Sequence, residues 1–176
     1  MLLRFADIGK QLYGKGKLMS VDRSKLNDLC FEFFMEFARY EFCLKMTGLT
    51  QGDGNAKANW DRYALEVEKI IASPGTTELA GAIDYILTYP PKKQIVRGGV
   101  LSWDETPIQG RNRAQQVFLL IRRIRNNLFH GGKFNGRWFE PERSELLMQH
   151  ALTILQACAR SHAGVYEAYN SMVLSI

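Results

Sequence analysis

The sequence predicts an all-α fold, an antiparallel bundle of about five helices. Apolar residues recur at helical spacing over long stretches. Glycines, prolines and capping residues separate those stretches. Pro90 to Gln109 is the least regular stretch. The length of 176 residues and the 46% hydrophobic content fit one folded domain with its own core. That domain is read over residues 21–176, with residues 1–20 as an N-terminal arm.

The arm carries Gly9, Gly14 and Gly16 among scattered lysines. Ser20 or Asp22 caps a long helix that runs to about Met46 and stops at Gly48. Leu26, Leu29, Cys30, Phe33, Phe34, Phe37, Tyr40 and Leu44 keep helical spacing for about five turns. Phe31, Met35 and Phe42 widen that apolar surface. Such a helix is either central to the bundle or covered twice, once by its own chain and once by a partner. A polar loop, Gly48 to Asn59, leads to a helix over Trp60 to Ala72, closed by Ser73-Pro74-Gly75. Thr76-Thr77-Glu78 opens the next helix, which ends at Tyr89 before Pro90-Pro91. In Pro90 to Gln109 a loop with a helical turn is expected in preference to a short strand pair. The following helix starts at Pro107 or Gly110 and ends at His130, ahead of Gly131-Gly132. The last helix begins with Pro141 in its first turn and reaches His162, with an extension from Val165 after a break at Gly164.

Composition narrows the function. No apolar run approaches the roughly 20 residues of a membrane span. Met1 to Lys10 contains Asp7 and no small-residue cleavage site, so no signal peptide is expected and the chain reads as cytoplasmic. Cys30, Cys43 and Cys158 are odd in number and far apart, two of them in apolar helical patterns, which reads as reduced structural thiols. His130, His150 and His162 form no local ligand motif, and no metal or cofactor is expected. His150 reads as a surface or core histidine. Trp60, Trp103 and Trp138 read as packing residues, with Trp138 the best placed to stack on a base.

Charge is concentrated. The formal net charge is +5, yet Thr106 to Phe139 contains no acid. Arg111, Arg113, Arg122, Arg123, Arg125, Lys133 and Arg137 give that window +7 and leave the remainder at −2. A polyanion such as RNA is the natural partner.

Within the basic window lies Arg125-Asn126-Asn127-Leu128-Phe129-His130-Gly131-Gly132. Val117, Leu120, Ile121, Ile124 and Leu128 form the core stripe of this helix, and Phe118, Arg122, Asn126, Phe129 and His130 lie on the other side. The second face mixes aromatic and polar groups, as a partner surface with a polar cleft does. Arg125 and His130 stand about 140 degrees apart on a regular helix. A diglycine stop and a twofold partner both offer ways to bring them together. An arginine can hold a phosphate bidentately, and a histidine can move the proton of a 2′-hydroxyl or of a leaving 5′-oxygen. The helix C-terminus favours imidazolium, which suits a general acid.

These residues resemble the signature of the HEPN superfamily, an arginine followed by a polar residue and, after four to six residues, a histidine. The resemblance covers about Asp22 to His162. It implies a HEPN-like helical bundle and a homodimer with the motifs facing across the interface. It further implies metal-independent endoribonuclease activity in toxin–antitoxin, abortive-infection or other anti-phage systems, with an antitoxin or regulatory protein as partner. By position, Arg125 and His130 would be catalytic and Asn126 would support them within the catalytic set; the basic window, apart from the resemblance, offers Arg122, Arg123, Lys133 and Arg137 as RNA contacts. One toxin subset has a tyrosine two residues after the histidine; Gly132 stands there in this chain. An acid on the first helix sometimes assists, and Glu36 and Glu41 are both candidates. The alternative is a non-catalytic helical module of the same fold that binds RNA or protein.

Overall fold

The computed structural model describes residues 22–109, 111–129 and 140–171. The expected N-terminal arm lies outside them. Helix α1 (Arg23–Met46) starts at Asp22, whose carboxylate accepts from the Ser24 N–H at 3.0 Å. It ends in a Schellman turn. The Leu49 N–H reaches the Leu44 carbonyl at 2.9 Å, the Gly48 N–H reaches Lys45 at 3.2 Å, and Gly48 has φ +76°. Buried Leu49 locks the turn onto the core.

The single helix expected over Trp60 to Ala72 is instead two, α2 (Trp60–Glu66) and α3 (Glu68–Ala72). The axis breaks at Val67, so that Val67 and Ile71 both enter the core. Helix α4 (Thr77–Thr88) is capped by Thr76, which accepts from the Leu79 N–H at 3.2 Å.

The described chain is mostly helical, as expected, but the loop with a helical turn expected in the next stretch is instead a short strand pair. Lys93–Arg97 (β1) and Val100–Asp104 (β2) pair as an antiparallel hairpin, with Arg97 opposite Val100 and Lys93 opposite Asp104. Gly98 and Gly99 take φ +58° and +78°. Two successive positive φ values make the tight two-residue turn whose twist matches paired strands, and glycine supplies them without strain.

Helix α5 (Arg113–Phe129) begins later than Pro107 or Gly110. Asn112 accepts from the Gln115 N–H at 2.8 Å, and Gln115 Oε1 accepts from the Asn112 N–H at 3.3 Å. This reciprocal capping box fixes the start. Helix α6 (Pro141–Ser161) begins at the expected proline. After a turn at His162 comes α7 (Ala163–Ser171), whose Val165 N–H is received by His162 Nδ1 at 3.2 Å. The other nitrogen, Nε2, donates to Glu66 at 2.8 Å and ties the turn to α2.

Helix α6 packs against α1, α4 and α7, and α5 packs against α2, α3 and α4. The described chain is thus seven helices and one hairpin around a single core. Phe37, Tyr40, Trp60, Tyr63 and Phe118 form an aromatic cluster inside it, with ring centroids 5.1 to 5.9 Å apart. The Tyr40 and Tyr63 hydroxyls hydrogen-bond to each other there, and burial raises both pKa values. Phe118 is therefore core, not part of the second face of α5. Helix α5 is covered on more than one side, so its buried arc exceeds one stripe. Burial also raises the Cys158 thiol to about 12 and shifts Cys43 upward. His150 sits half-buried against Tyr85, rings 4.6 Å apart, with its pKa lowered by desolvation. No described helix is long and apolar enough to cross a membrane.

Phe118→Ala is expected to destabilise the fold by about 3–5 kcal/mol, the usual cost of emptying a buried phenylalanine site. Urea unfolding measures it; a loss below about 1 kcal/mol contradicts the packing of Phe118 described above.

Candidate functional site

The second half of α5 sorts its side chains by helical position. Ile124 and Leu128 turn to the core. Arg123 and Asn127, four apart, reach the chain before the hairpin. Arg122, Arg125 and Asn126, three and four apart, open on a cleft of about 190 Å³.

The Arg123 and Asn127 face is structural. Pro90 and Pro91 have no N–H, so their segment cannot join a regular hydrogen-bonded element. Three consecutive carbonyls there accept hydrogen bonds from side chains. Arg143 donates to Pro90 at 2.8 Å, Arg123 to Pro91 at 3.1 Å and Asn127 to Lys92 at 2.8 Å. Burial lowers the Arg123 pKa, partly offset by the Asp104 carboxylate. Arg123, read from the sequence as an RNA contact, therefore does not join Arg122 in the cleft.

The cleft lies between α1, the loop after it and α5. Phe37 and Glu41 come from α1, Gln51 and Lys57 from the loop, and Arg122, Arg125 and Asn126 from α5. Among the described residues, no ion pair holds Arg125. Its Nη1 donates to Asn126 Oδ1 at 3.0 Å, and its guanidinium carbon lies 5.5 Å from the Phe37 ring centre and 5.7 Å from that of Phe129. Phe129 in turn packs on Phe34 at 4.8 Å. The adjacent amide and two aromatic faces thus pre-set the guanidinium fork.

The two candidate acids of α1 part company. Glu36 accepts from the Tyr169 hydroxyl and lies 3.9 Å from Arg39, whose guanidinium also covers the Tyr169 ring at 3.7 Å. It fastens α7. Glu41 lines the cleft.

The basic window is narrower than the sequence suggested. Arg111 pairs with Asp61 and Arg113 with Asp84. Arg39, Arg62, Lys92 and Arg143 also have carboxylate partners. Among the described residues, no ion pair joins Arg122, Arg125 or Lys57 to an acid. These three cations share one cleft. Lys57 is the residue that sequence reading missed: it lies 65 or more positions from the arginines, in a loop with no motif. His130, Lys133 and Arg137 lie outside the described residues.

Arg123→Ala and Asn127→Ala are each expected to lower stability by about 1–2 kcal/mol, since each leaves a backbone carbonyl without its donor. Arg122→Ala is expected to stay within about 0.5 kcal/mol of the parent. Urea midpoints compare the three; equal losses for all of them contradict the division of α5 into a structural and an open face.

Compared with protein-family models, with curated proteins and with solved structures, the chain finds no significant match.

Proposed function

We propose that the chain is a cytoplasmic, homodimeric endoribonuclease of the HEPN type, working without a metal in a toxin–antitoxin or anti-phage setting. An antitoxin or regulatory protein is the further partner this reading implies. One observation carries it. The motif residues Arg125 and Asn126 open, with Arg122, on a cleft whose cations have no carboxylate partner among the described residues. Unpaired cations gathered at a concave surface favour an anion, and a guanidinium fork suits a phosphodiester.

The reaction is a transesterification. The 2′-oxygen bonds to phosphorus, the bond to the 5′-oxygen breaks, and a 2′,3′-cyclic phosphate and a 5′-hydroxyl result. Arg125 holds the phosphate and offsets the charge that grows on it. Asn126 orients the Arg125 fork through the 3.0 Å hydrogen bond. His130, next after the last residue of α5, protonates the leaving 5′-oxygen. Glu41 is the α1 acid on the cleft wall and accepts the proton of the 2′-hydroxyl.

The homodimer has its own support. Phe31, Met35 and Phe42 are 65%, 50% and 44% exposed. With Ala38 they follow the alternating four- and three-residue spacing of a coiled-coil seam. Asp28 and Lys45 fall at the next seam positions beyond either end. An antiparallel pairing of two α1 helices sets Phe31 against Phe42 and Asp28 against Lys45 of the other copy. Phe34, also exposed, packs on exposed Phe129, which in turn lies against Arg125.

Two experiments test the reading. Mixed RNA in EDTA is expected to be cut by the wild-type protein to fragments with 2′,3′-cyclic phosphate ends. His130→Ala and Arg125→Ala are expected to slow cleavage by about 10²–10⁴-fold with the fold retained by circular dichroism. Intact RNA with wild type, or cleavage retained in His130→Ala, would falsify the ribonuclease. Phe31→Glu with Phe42→Glu is expected to give a monomer in sedimentation velocity; a parent protein that already sediments as a monomer removes the dimer.

A further inference from the structure

The wall of the cleft facing α5 is the loop between α1 and α2, and it is pinned. Thr50 and Ala58 form an antiparallel bridge. The Gln51 N–H donates to the Lys57 carbonyl at 3.0 Å, and the Asn59 N–H to that of Leu49 at 2.7 Å. The Gln51 side chain donates to the Ala58 carbonyl at 3.0 Å. Gly52 and Gly54 turn the tip at φ +98° and +103°, where a side chain would be strained. Gln51 therefore grips the backbone at both Lys57 and Ala58. Lys57 starts from a fixed point, and only its own side chain has to be ordered when it meets a ligand.

Charge counting points the same way. Among the described residues, Lys57, Arg122 and Arg125 line the cleft with a single carboxylate, Glu41. That leaves an excess of two positive charges, and one phosphodiester neutralises only one of them. The groups also differ in kind. The Arg125 fork matches two oxygens of one phosphate, while an ammonium is a point charge that accepts a phosphate from many directions.

We propose that Lys57 holds the backbone phosphate adjacent to the one gripped by Arg125, so that the α1–α2 loop carries part of the RNA track. The inference rests on the ribonuclease reading only for the identity of the polyanion. It replaces Arg123, which is committed to the Pro91 carbonyl, with a residue from the opposite wall.

The test uses the whole 176-residue chain carrying His130→Ala, so that RNA is not consumed. Binding of a labelled single-stranded RNA is measured in EDTA across a series of salt concentrations. Adding Lys57→Ala is expected to weaken binding about fivefold and to make the slope of log K against log salt shallower by about 0.7, the mark of one lost phosphate contact. Lys57→Arg is expected to keep the slope. Adding Arg123→Ala is expected to leave the slope unchanged. Lys57 is exposed and, among the described residues, forms no ion pair, so the urea midpoint of Lys57→Ala should match its parent.

Equal slopes with and without Lys57 overturn the proposal, as does weaker binding at an unchanged slope. RNA that fails to bind at all overturns it together with the nucleic-acid reading. A shallower slope in a protein whose wild type cuts nothing keeps the phosphate contact and discards the enzyme. Cleavage by wild type with no slope change in Lys57→Ala keeps the enzyme and discards the contact.

Discussion

Burial of Val117, Phe118, Leu120, Ile121 and Ile124 fixes how α5 is rotated about its axis. Exposing any one of these side chains costs about 1.5–3 kcal/mol. No surface hydrogen bond competes with that total, so the polar residues take whatever directions remain. Two arcs remain. One meets the proline segment and receives Arg123 and Asn127. The other faces α1 and the loop after it, and receives Arg122, Arg125 and Asn126. Neighbouring arginines in the sequence thus have unrelated duties. Arg122 and Arg123 are one residue and 100 degrees apart, which separates an open cation from a half-buried strut.

The features that could be read from the sequence are those with local causes. The Gly48 stop, the Thr76 cap and the Pro141 start each depend on a few adjacent residues, and each stands where the pattern put it. The later start of α5 is local as well, but its signal is the Asn112–Gln115 pair and not the more conspicuous Pro107 or Gly110. The hairpin was hidden because its apolar residues do not alternate toward a core. Val96, Val100, Leu101 and Trp103 all remain exposed, so Gly98-Gly99 was the only available mark. Phe118 was misassigned for a different reason. The periodicity of one helix gives the direction of its main contact, not how many neighbours surround it. The motif helix and the shared face of Arg122 and Asn126 were legible; the loop wall bearing Lys57 arises only when distant segments meet.

The cleft shows how a charged group can be held ready without being neutralised. An acid beside Arg125 would fix it in place and also cancel the charge. Aromatic faces and a neighbouring amide fix it while leaving the charge available. The same economy is absent from Arg39, whose acid and aromatic partners serve only to fasten α7. Gathering like charges without partners disfavours the compact state. The aromatic cluster beneath, from Phe37 to Phe118, is buried and offsets that penalty.

That cluster contains one polar contact, between the hydroxyls of Tyr40 and Tyr63. Each phenol is the answer to the other's desolvation. Phenylalanine at one position alone strands a buried oxygen, at about 1–3 kcal/mol, whereas phenylalanine at both removes the problem with its cause. Over evolutionary time the two sites are therefore bound to a shared history: they can cross to a dry core as a couple, but neither can make the journey by itself.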